Sequence, residues 1–173
     1  MDKLSRQIVK ILQEDARTTT TQMAVMLGED EAAVKKAVRA LESSGVIVKY
    51  AAIVDEEKAE NDMVQALIEV RVTPQKMHGF DAIAEEIYSF DEVKSLYLMS
   101  GGYDLAVFVE GKNLLDIAKF VAERLSGLDN VLSTATHFIL KKYKVEGTVT
   151  RKTPSRRLAV QACEISFPKR LKT

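Results

Sequence analysis

Cysteine is almost absent from this 173-residue chain: the single residue Cys163 cannot form an internal disulfide. This fits a protein of the reducing cytosol, and we expect a cytoplasmic location. The sequence also lacks any apolar run near the roughly 20 residues that a membrane-spanning helix needs. Residues 1–6 carry no apolar secretory core. These absences predict a soluble intracellular protein with no membrane partner.

The chain has no excess of charge of one sign, and histidine is scarce. It contains 25 basic and 25 acidic residues, with a pI near 6.8. Any nucleic-acid binding must therefore come from a local basic patch. The two histidines, His78 and His137, are far apart and have no metal-ligand spacing. We expect no metal, no cofactor and no catalytic residue.

Three helices are predicted for the amino-terminal third. Thr19 with Gln22 three residues later is a capping box that begins the second helix, and Gly28 ends it. Asp30 can cap the third helix, which Gly45 closes. A short helix, a turn with glycine and a further helix are typical of the helix-turn-helix, which places its second helix in the major groove of DNA. An ordinary three-helix bundle is the alternative.

Beyond the third helix, residues 46–48 enter a predicted strand, so the helix-turn-helix is expected to be winged. Residues 48–55 are predicted to form a linking strand. The charged, apolar-poor segment 56–62 is then the natural domain boundary.

The following residues predict an α+β domain in the order β-α-β-β-α-β, the ferredoxin-like arrangement. The predicted segments are a strand (65–73), a helix (77–89), a hairpin (96–109), a helix (113–125) and a strand (131–141). Residues 105–109 are almost wholly apolar, so we expect the hairpin in the middle of a helix-covered sheet.

The turn of this hairpin is predicted at Gly101–Gly102, since a two-residue turn requires positive φ angles that glycine tolerates. Turn geometry alone explains the pair. The functional alternative is a nest of backbone N–H groups for a small anion such as a carboxylate.

Three segments, 12–17, 39–47 and 100–104, together resemble the Lrp/AsnC (leucine-responsive, feast-or-famine) family of transcription regulators over residues 1 to about 142. The resemblance implies a winged helix-turn-helix joined to a ferredoxin-like effector and assembly domain. It also implies double-stranded DNA and a small effector as partners, and homodimers formed through the sheet domain that assemble into octamers or larger particles. In this family the linking strand pairs with the partner's copy.

Candidate DNA-binding residues lie on the second and third helices. Lysine and arginine can hold phosphates or guanine, whereas alanine offers at most a thymine-methyl contact. Residues 29–31 are acidic and disfavour a phosphate backbone, and Val25 and Met26 stand where relatives often have polar or basic side chains. The candidates are Thr19, Ala32, Ala33, Lys35, Lys36 and Arg39.

An amino-acid effector needs donors for its carboxylate, an acceptor for its ammonium and a wall for its side chain. The candidates are Ser100, Gly101 and Gly102 as donors, Asp104 as acceptor, Tyr103 as wall, and the hydroxyls of Thr134 and Thr136. The family places its effector beside this glycine-rich turn, between dimers. Plain β-propensity is the alternative for the two threonines, and a bond to its own backbone is the alternative for Asp104.

The domain limits follow: 1–60 for DNA binding with the linking strand, 61–142 for effector binding and oligomerisation, and 143–173 for a basic extension. Residues 141–173 hold ten bases and two acids. An arm docked on the acidic body or on a neighbouring subunit is one interpretation, and a supplementary phosphate-binding arm is the other.

The sequence predicts a non-enzymatic, effector-responsive DNA-binding regulator. Two alternatives remain. One is an enzyme similar to the siroheme decarboxylases, which resemble this chain in their two-module architecture. The other is an effector sensor that has lost DNA binding, which is consistent with the apolar residues Ala32, Ala33, Val25 and Met26.

Overall fold

Three helices make up the first unit of the computed structural model, which describes residues 1–56, 58–74 and 79–150. The unit spans Met1–Ile53, and its helices are α1 (Lys3–Glu14), α2 (Thr20–Leu27) and α3 (Glu31–Ser43). One side chain or more from each helix meets in a small apolar core. Its buried members are Ile8, Met23, Ala24, Val34 and Leu41.

The ends of these helices follow the sequence signals. The Thr19 hydroxyl accepts a hydrogen bond from the Gln22 amide (3.2 Å), and Gln22 Oε1 accepts one from the Thr19 amide (2.9 Å). Gly28 ends α2 in the left-handed region, at φ 67°. The Asp30 carboxylate accepts from the Ala32 amide at 3.0 Å. The predicted capping box, glycine end and aspartate cap are confirmed.

No strand is present between α3 and Val64 in the described residues, so the wing and linking strands predicted over residues 46–55 are wrong for the single chain. A strand needs a neighbouring backbone to pair with. Here the chain bonds back to α3 instead. The Ile47 amide donates to the Leu41 carbonyl (3.0 Å), and the Tyr50 hydroxyl donates to Glu42 (2.9 Å). Burial, and then the bond to Glu42, raise the pKa of Tyr50.

The second unit begins at Val54 and contains a four-stranded antiparallel sheet with two helical segments. The strands lie side by side in the order β2-β3-β1-β4, which confirms the predicted ferredoxin-like βαββαβ domain. Its elements are β1 (Val64–Val72), α4 (Asp81–Tyr88), β2 (Val93–Leu98), β3 (Leu105–Gly111), α5 (Leu114–Lys119) and β4 (Val131–Phe138).

The helices cover one face of this sheet. Alternate β1 residues, such as Ile68 and Val70, are fully buried in one core cluster with residues of both helices. The intervening residues Leu67 and Arg71 lie on the other face and are half-buried and exposed. The predicted hairpin is only partly central: β3 is an inner strand, but β2 is an edge strand.

Element ends differ from the sequence prediction where tertiary pairing decides them. β4 ends at Phe138 rather than 141, because β1 begins at Val64 and offers no backbone to pair with beyond the bond from the Ile139 amide to the Gln65 carbonyl (2.9 Å). The helix predicted over 77–89 is observed as α4, which begins at Asp81; residues 75–78 lie outside the described part.

The helix predicted over 113–125 is α-helical only through Lys119 and continues as a π-helical turn, Phe120–Leu125. In that turn Arg124 lies over the Phe90 ring (4.3 Å to the centroid) and its Nη1 donates to Glu92 Oε1 (2.6 Å). The extra residue of the π turn thus directs Arg124 toward the chain that precedes β2.

After β4 the chain forms a small hairpin of β5 (Lys144–Val145) and β6 (Thr148–Val149). Residues 151–173 lie outside the described residues, and with them most of the predicted basic arm. No helix in the described ranges has the length and apolar character to cross a bilayer.

Replacing Ile68 with alanine is expected to lower the free energy of unfolding by about 2–5 kcal/mol, because it leaves a cavity at the centre of the sheet core. Urea unfolding followed by circular dichroism measures the loss. Leu132→Ala is the control, since Leu132 is 68% exposed and its truncation should change stability by less than about 0.5 kcal/mol. Equal losses in the two variants would contradict the described core.

Candidate DNA-binding surface and effector loop

The outer face of α3 is the candidate surface for DNA. Val34 and Leu41 turn inward and are buried, which leaves the opposite side of the helix in solvent. Every α3 residue predicted to contact DNA is exposed, namely Ala32, Ala33, Lys35, Lys36 and Arg39. The helix therefore presents three cations within about two turns of its amino end.

Two of the acidic residues at that end already have structural partners. Asp30 caps the helix, and Glu31 Oε1 accepts a hydrogen bond from the Thr21 hydroxyl at 3.0 Å. The second bond joins the beginnings of α2 and α3. Both carboxylates are thus held at the helix terminus, where the helix dipole favours negative charge.

Thr19 is exposed at the beginning of α2, where its hydroxyl belongs to the capping box. Beside it runs a shallow groove whose lining includes Arg17, Thr21, Val25 and Met26. Arg17 and Thr21 are candidate DNA-contacting residues that the sequence reading missed. Arg17 lies in segment 12–17, two residues before Thr19, but only the structure shows that it lines the same groove as Thr21.

The glycine-rich segment is a six-residue loop, Met99–Asp104, rather than a two-residue turn. Neither Gly101 nor Gly102 has a positive φ angle, so the predicted turn geometry is wrong. The Met99 amide donates to the Asp104 carbonyl (2.7 Å) and closes the loop at its base. Both glycines are exposed, with open space around their α-carbons.

Asp104 fixes this loop to the end of β1. Its Oδ2 accepts a hydrogen bond from the Val72 amide at 2.9 Å, and its own amide donates to the Val70 carbonyl at 3.0 Å. The bond to Val72 coincides with a register shift in the β1–β4 pairing between Arg71 and Val72. The alternative predicted for Asp104, a bond of its side chain to its own backbone, is not observed: the amide that its carboxylate accepts from belongs to β1, 32 residues earlier.

The two candidate threonines share one face of β4, as the sequence predicts, and that face is the helix-covered one. Thr134 pairs with Val70 and its hydroxyl lies 3.4 Å from the Ser126 hydroxyl. Thr136 pairs with Ile68, farther from the loop. The structure therefore brings Thr134 within two strands of Asp104 and places Thr136 one step deeper along the sheet.

Tyr103 is half-buried and Ser100 is exposed, so the loop offers both an apolar wall and a hydroxyl. In the described residues no three histidine, cysteine, aspartate or glutamate side chains converge as a metal site. His137 lies on the sheet beside Glu69, with Nε2 3.4 Å from Oε1, and His78 lies outside the described residues.

Two family models match the chain in the order of its two units. The AsnC-type helix-turn-helix domain matches residues 1–42, and the Lrp/AsnC ligand binding domain matches residues 65–149. The chain belongs to the Lrp/AsnC family. It is a transcription regulator of helix-turn-helix type with a ligand-binding domain.

Among curated relatives, this Lrp/AsnC protein is 47% identical over 144 residues to the uncharacterized regulator YugG of Bacillus subtilis, covering 83% of this chain and 87% of YugG. It is 31% identical over 144 residues to the regulator LrpA of Pyrococcus horikoshii, covering 83% and 99% of the two chains.

Solved structures share the architecture. The regulator NMB0573 of Neisseria meningitidis, crystallised as an L-Met complex, aligns with a TM-score of 0.66 at 25% identity over 84% of this chain and 93% of that one. The AsnC protein of Escherichia coli aligns with a TM-score of 0.65 over 87% and 99% of the two chains; its 20% identity supports the fold alone.

Asp104→Ala is expected to lower the free energy of unfolding by about 1–3 kcal/mol, because the Val72 amide loses its acceptor at the base of the loop. Hydrogen exchange of the Val72 amide should become faster in the same variant. Asp104→Asn is the matched control, since the amide oxygen can still accept that bond. Unchanged exchange at Val72 in Asp104→Ala would show that the bond does not hold the loop.

Proposed function

We propose that this Lrp/AsnC protein binds specific DNA through α3 and that an amino-acid effector, bound near residues 99–104, changes its assembly and its affinity for DNA. The observation that carries the proposal is the pairing of an exposed cationic helix with a family ligand-binding domain in one chain. We propose limits of 1–60 for the DNA-binding module, 61–142 for the effector module and 143–173 for a basic extension.

In the proposed complex α3 enters the major groove. Lys35, Lys36 and Arg39 contact phosphates or guanine edges, while Ala32 and Ala33 let the helix approach the bases closely. Thr19, with Arg17 and Thr21 beside it, contacts the backbone from the amino end of α2. Because the proposed contacts are mainly to phosphates, the affinity for DNA should fall as salt rises, since the release of counterions from DNA is then less favourable.

The effector is proposed to be an amino acid. The N. meningitidis neighbour is described as an L-Met complex, which supports this class of ligand. Asp104 uses one carboxylate oxygen for the Val72 amide and retains acceptor capacity for an ammonium group. Tyr103 supplies the wall, Ser100 and the Gly101–Gly102 backbone supply donors, and the Thr134 and Thr136 hydroxyls complete the candidate set.

An effector changes DNA binding only if it binds two assembly states with different affinity. We propose homodimers formed through the sheet unit, which assemble into octamers, with the effector loop at the contact between dimers. The half-exposed Tyr97 and the neighbouring Phe108, in edge-to-face contact at 5.9 Å on the face away from the helices, support burial of that face in a dimer.

We propose that the protein is not an enzyme. A tetrapyrrole decarboxylase would need an enclosed pocket with basic or histidine side chains near several propionates. In the described part of the chain His137 is exposed and pairs with Glu69 on an open sheet face. The named relatives are transcription regulators.

The double variant Lys36→Glu, Arg39→Glu is expected to abolish binding to a duplex that the wild type selects from a random library. The two substitutions replace phosphate-facing cations with anions, and gel-shift titration at several salt concentrations measures the loss. Lys3→Glu, Lys10→Glu on the exposed side of α1 is the control with the same change of charge. Equal affinity of the two double variants for the duplex would show that α3 does not contact DNA as proposed.

Calorimetric titration with the twenty amino acids is expected to find at least one that binds and that also changes the particle size in light scattering. Tyr103→Ala should weaken the binding of that amino acid about tenfold, or ~1.4 kcal/mol, because the apolar wall for its side chain is lost. Tyr143→Ala removes a tyrosine that is 65% exposed and outside the loop, and should leave binding unchanged. If no amino acid binds the wild type, the proposed effector class is wrong.

A further inference from the structure

Three segments meet at one end of the strands of the sheet: the end of β1, the loop 99–104 and the chain that leads into β4. The Asp104 amide donates to the Val70 carbonyl (3.0 Å), and the Thr73 amide donates to the Asn130 carbonyl (2.8 Å). An amino acid bound here needs a group that holds its carboxylate. A nest of consecutive N–H groups at Gly101–Gly102 would need alternating αR and αL geometry, and neither glycine has a positive φ.

Arg71 is the cation at this end of the sheet. Of the residues 70–74, 99–104 and 126–134, it alone is basic, while Asp104 and Asp129 are acidic. It is exposed, on the sheet face away from the helices, opposite Ser133 of β4. A carboxylate that approaches the loop at the end of β1 meets one fixed positive charge.

The guanidinium of Arg71 is already oriented by the loop. Its Nε donates to the Gly102 carbonyl at 2.9 Å. A guanidinium has five N–H donors, and the terminal nitrogens of Arg71 have no hydrogen-bond or ion-pair partner within the described residues. Neither neighbouring carboxylate neutralises it there: Asp104 accepts from the Val72 amide, and Glu69 pairs with His137.

We propose that Arg71 binds the α-carboxylate of the amino-acid effector through its terminal nitrogens, with the Gly102 carbonyl holding the guanidinium in place. The inference rests on the proposed function and deepens it by naming the group that recognises the acid end of the ligand. A planar guanidinium matches a carboxylate with two parallel hydrogen bonds, and the fixed Nε lowers the entropy lost when these form. The open space around the two loop glycines leaves room for the acid beside Arg71, and their backbone N–H groups remain available as further donors.

The test compares Arg71→Gln with the wild type by calorimetric titration. All twenty amino acids are screened first, and the tightest binder is then titrated beside its α-carboxamide, which keeps the ammonium and the side chain but lacks the anionic oxygen. Arg71→Gln should weaken the amino acid about ten- to a hundredfold, the usual effect of losing hydrogen bonds to a charged group. The carboxamide should bind the variant and the wild type with equal, weak affinity.

Two further variants separate charge from structure. Arg71→Lys keeps the positive charge without the fork and should bind the amino acid at intermediate strength. Lys112→Gln removes an exposed cation elsewhere in the same unit and should leave both ligands unaffected. Thermal unfolding of each variant checks that the loop is intact.

The outcomes are distinct. If Arg71→Gln binds the amino acid as tightly as the wild type does, the inference is wrong while the proposed function stands. If the variant loses the amino acid and the carboxamide equally, Arg71 acts only through Gly102 as a support of the loop, and the carboxylate role is again overturned. Failure of every amino acid to bind the wild type overturns the proposed effector class and the role of Arg71 together.

Discussion

The fold of the second unit depends on the backbone hydrogen bonds that the inner strand β1 makes to a neighbouring strand on each side. β1 pairs with β3 on one side and β4 on the other, so its inward side chains, Ile68 and Val70 among them, fix the register of the whole core. At its carboxyl end the pairing with β4 shifts register at Arg71–Val72, and the Val72 amide bonds to the carboxylate of Asp104. This bond, together with that from the Asp104 amide to the Val70 carbonyl, holds the candidate effector loop at the end of β1.

The first unit solves a different constraint, which is to keep a cationic helix exposed on a core of few buried side chains. Local side-chain caps carry much of this task. Thr19, Asp30 and the Thr21–Glu31 bond hold the ends of α2 and α3, so the outward face of α3 needs no further packing to stay helical. Lysine and arginine can therefore occupy that face without cost to the core.

Sequence reading succeeded where the deciding contacts are local. The capping box at Thr19 and the helix end at Gly28 each follow from residues within a few positions, and the ferredoxin-like fold follows from the order of the predicted strands and helices. It failed where a distant partner decides. Gly101–Gly102 favours a tight turn by itself, but the structure has a six-residue loop whose last residue, Asp104, accepts a hydrogen bond from Val72, 32 residues earlier. Residues 46–55 have strand composition but no pairing backbone in the single chain. The sequence thus predicts where the candidate loop lies but not its conformation. It does not indicate a role for Arg71, because only the pairing of the strands brings Arg71 to Gly102.

The π-helical turn at Phe120–Leu125 has a consequence for how the gene tolerates changes of length. A π turn holds about one residue more than an α turn, so loss of a single codon there leaves a continuous hydrogen-bonded helix. The same loss within β1 moves every later side chain of the strand to the opposite face of the sheet, so that residues now buried in the core, such as Ile68, would face solvent. Loss of one codon should therefore be less damaging at the turn, where it disturbs Arg124 on Phe90 and the buried Leu125, than in the central strand.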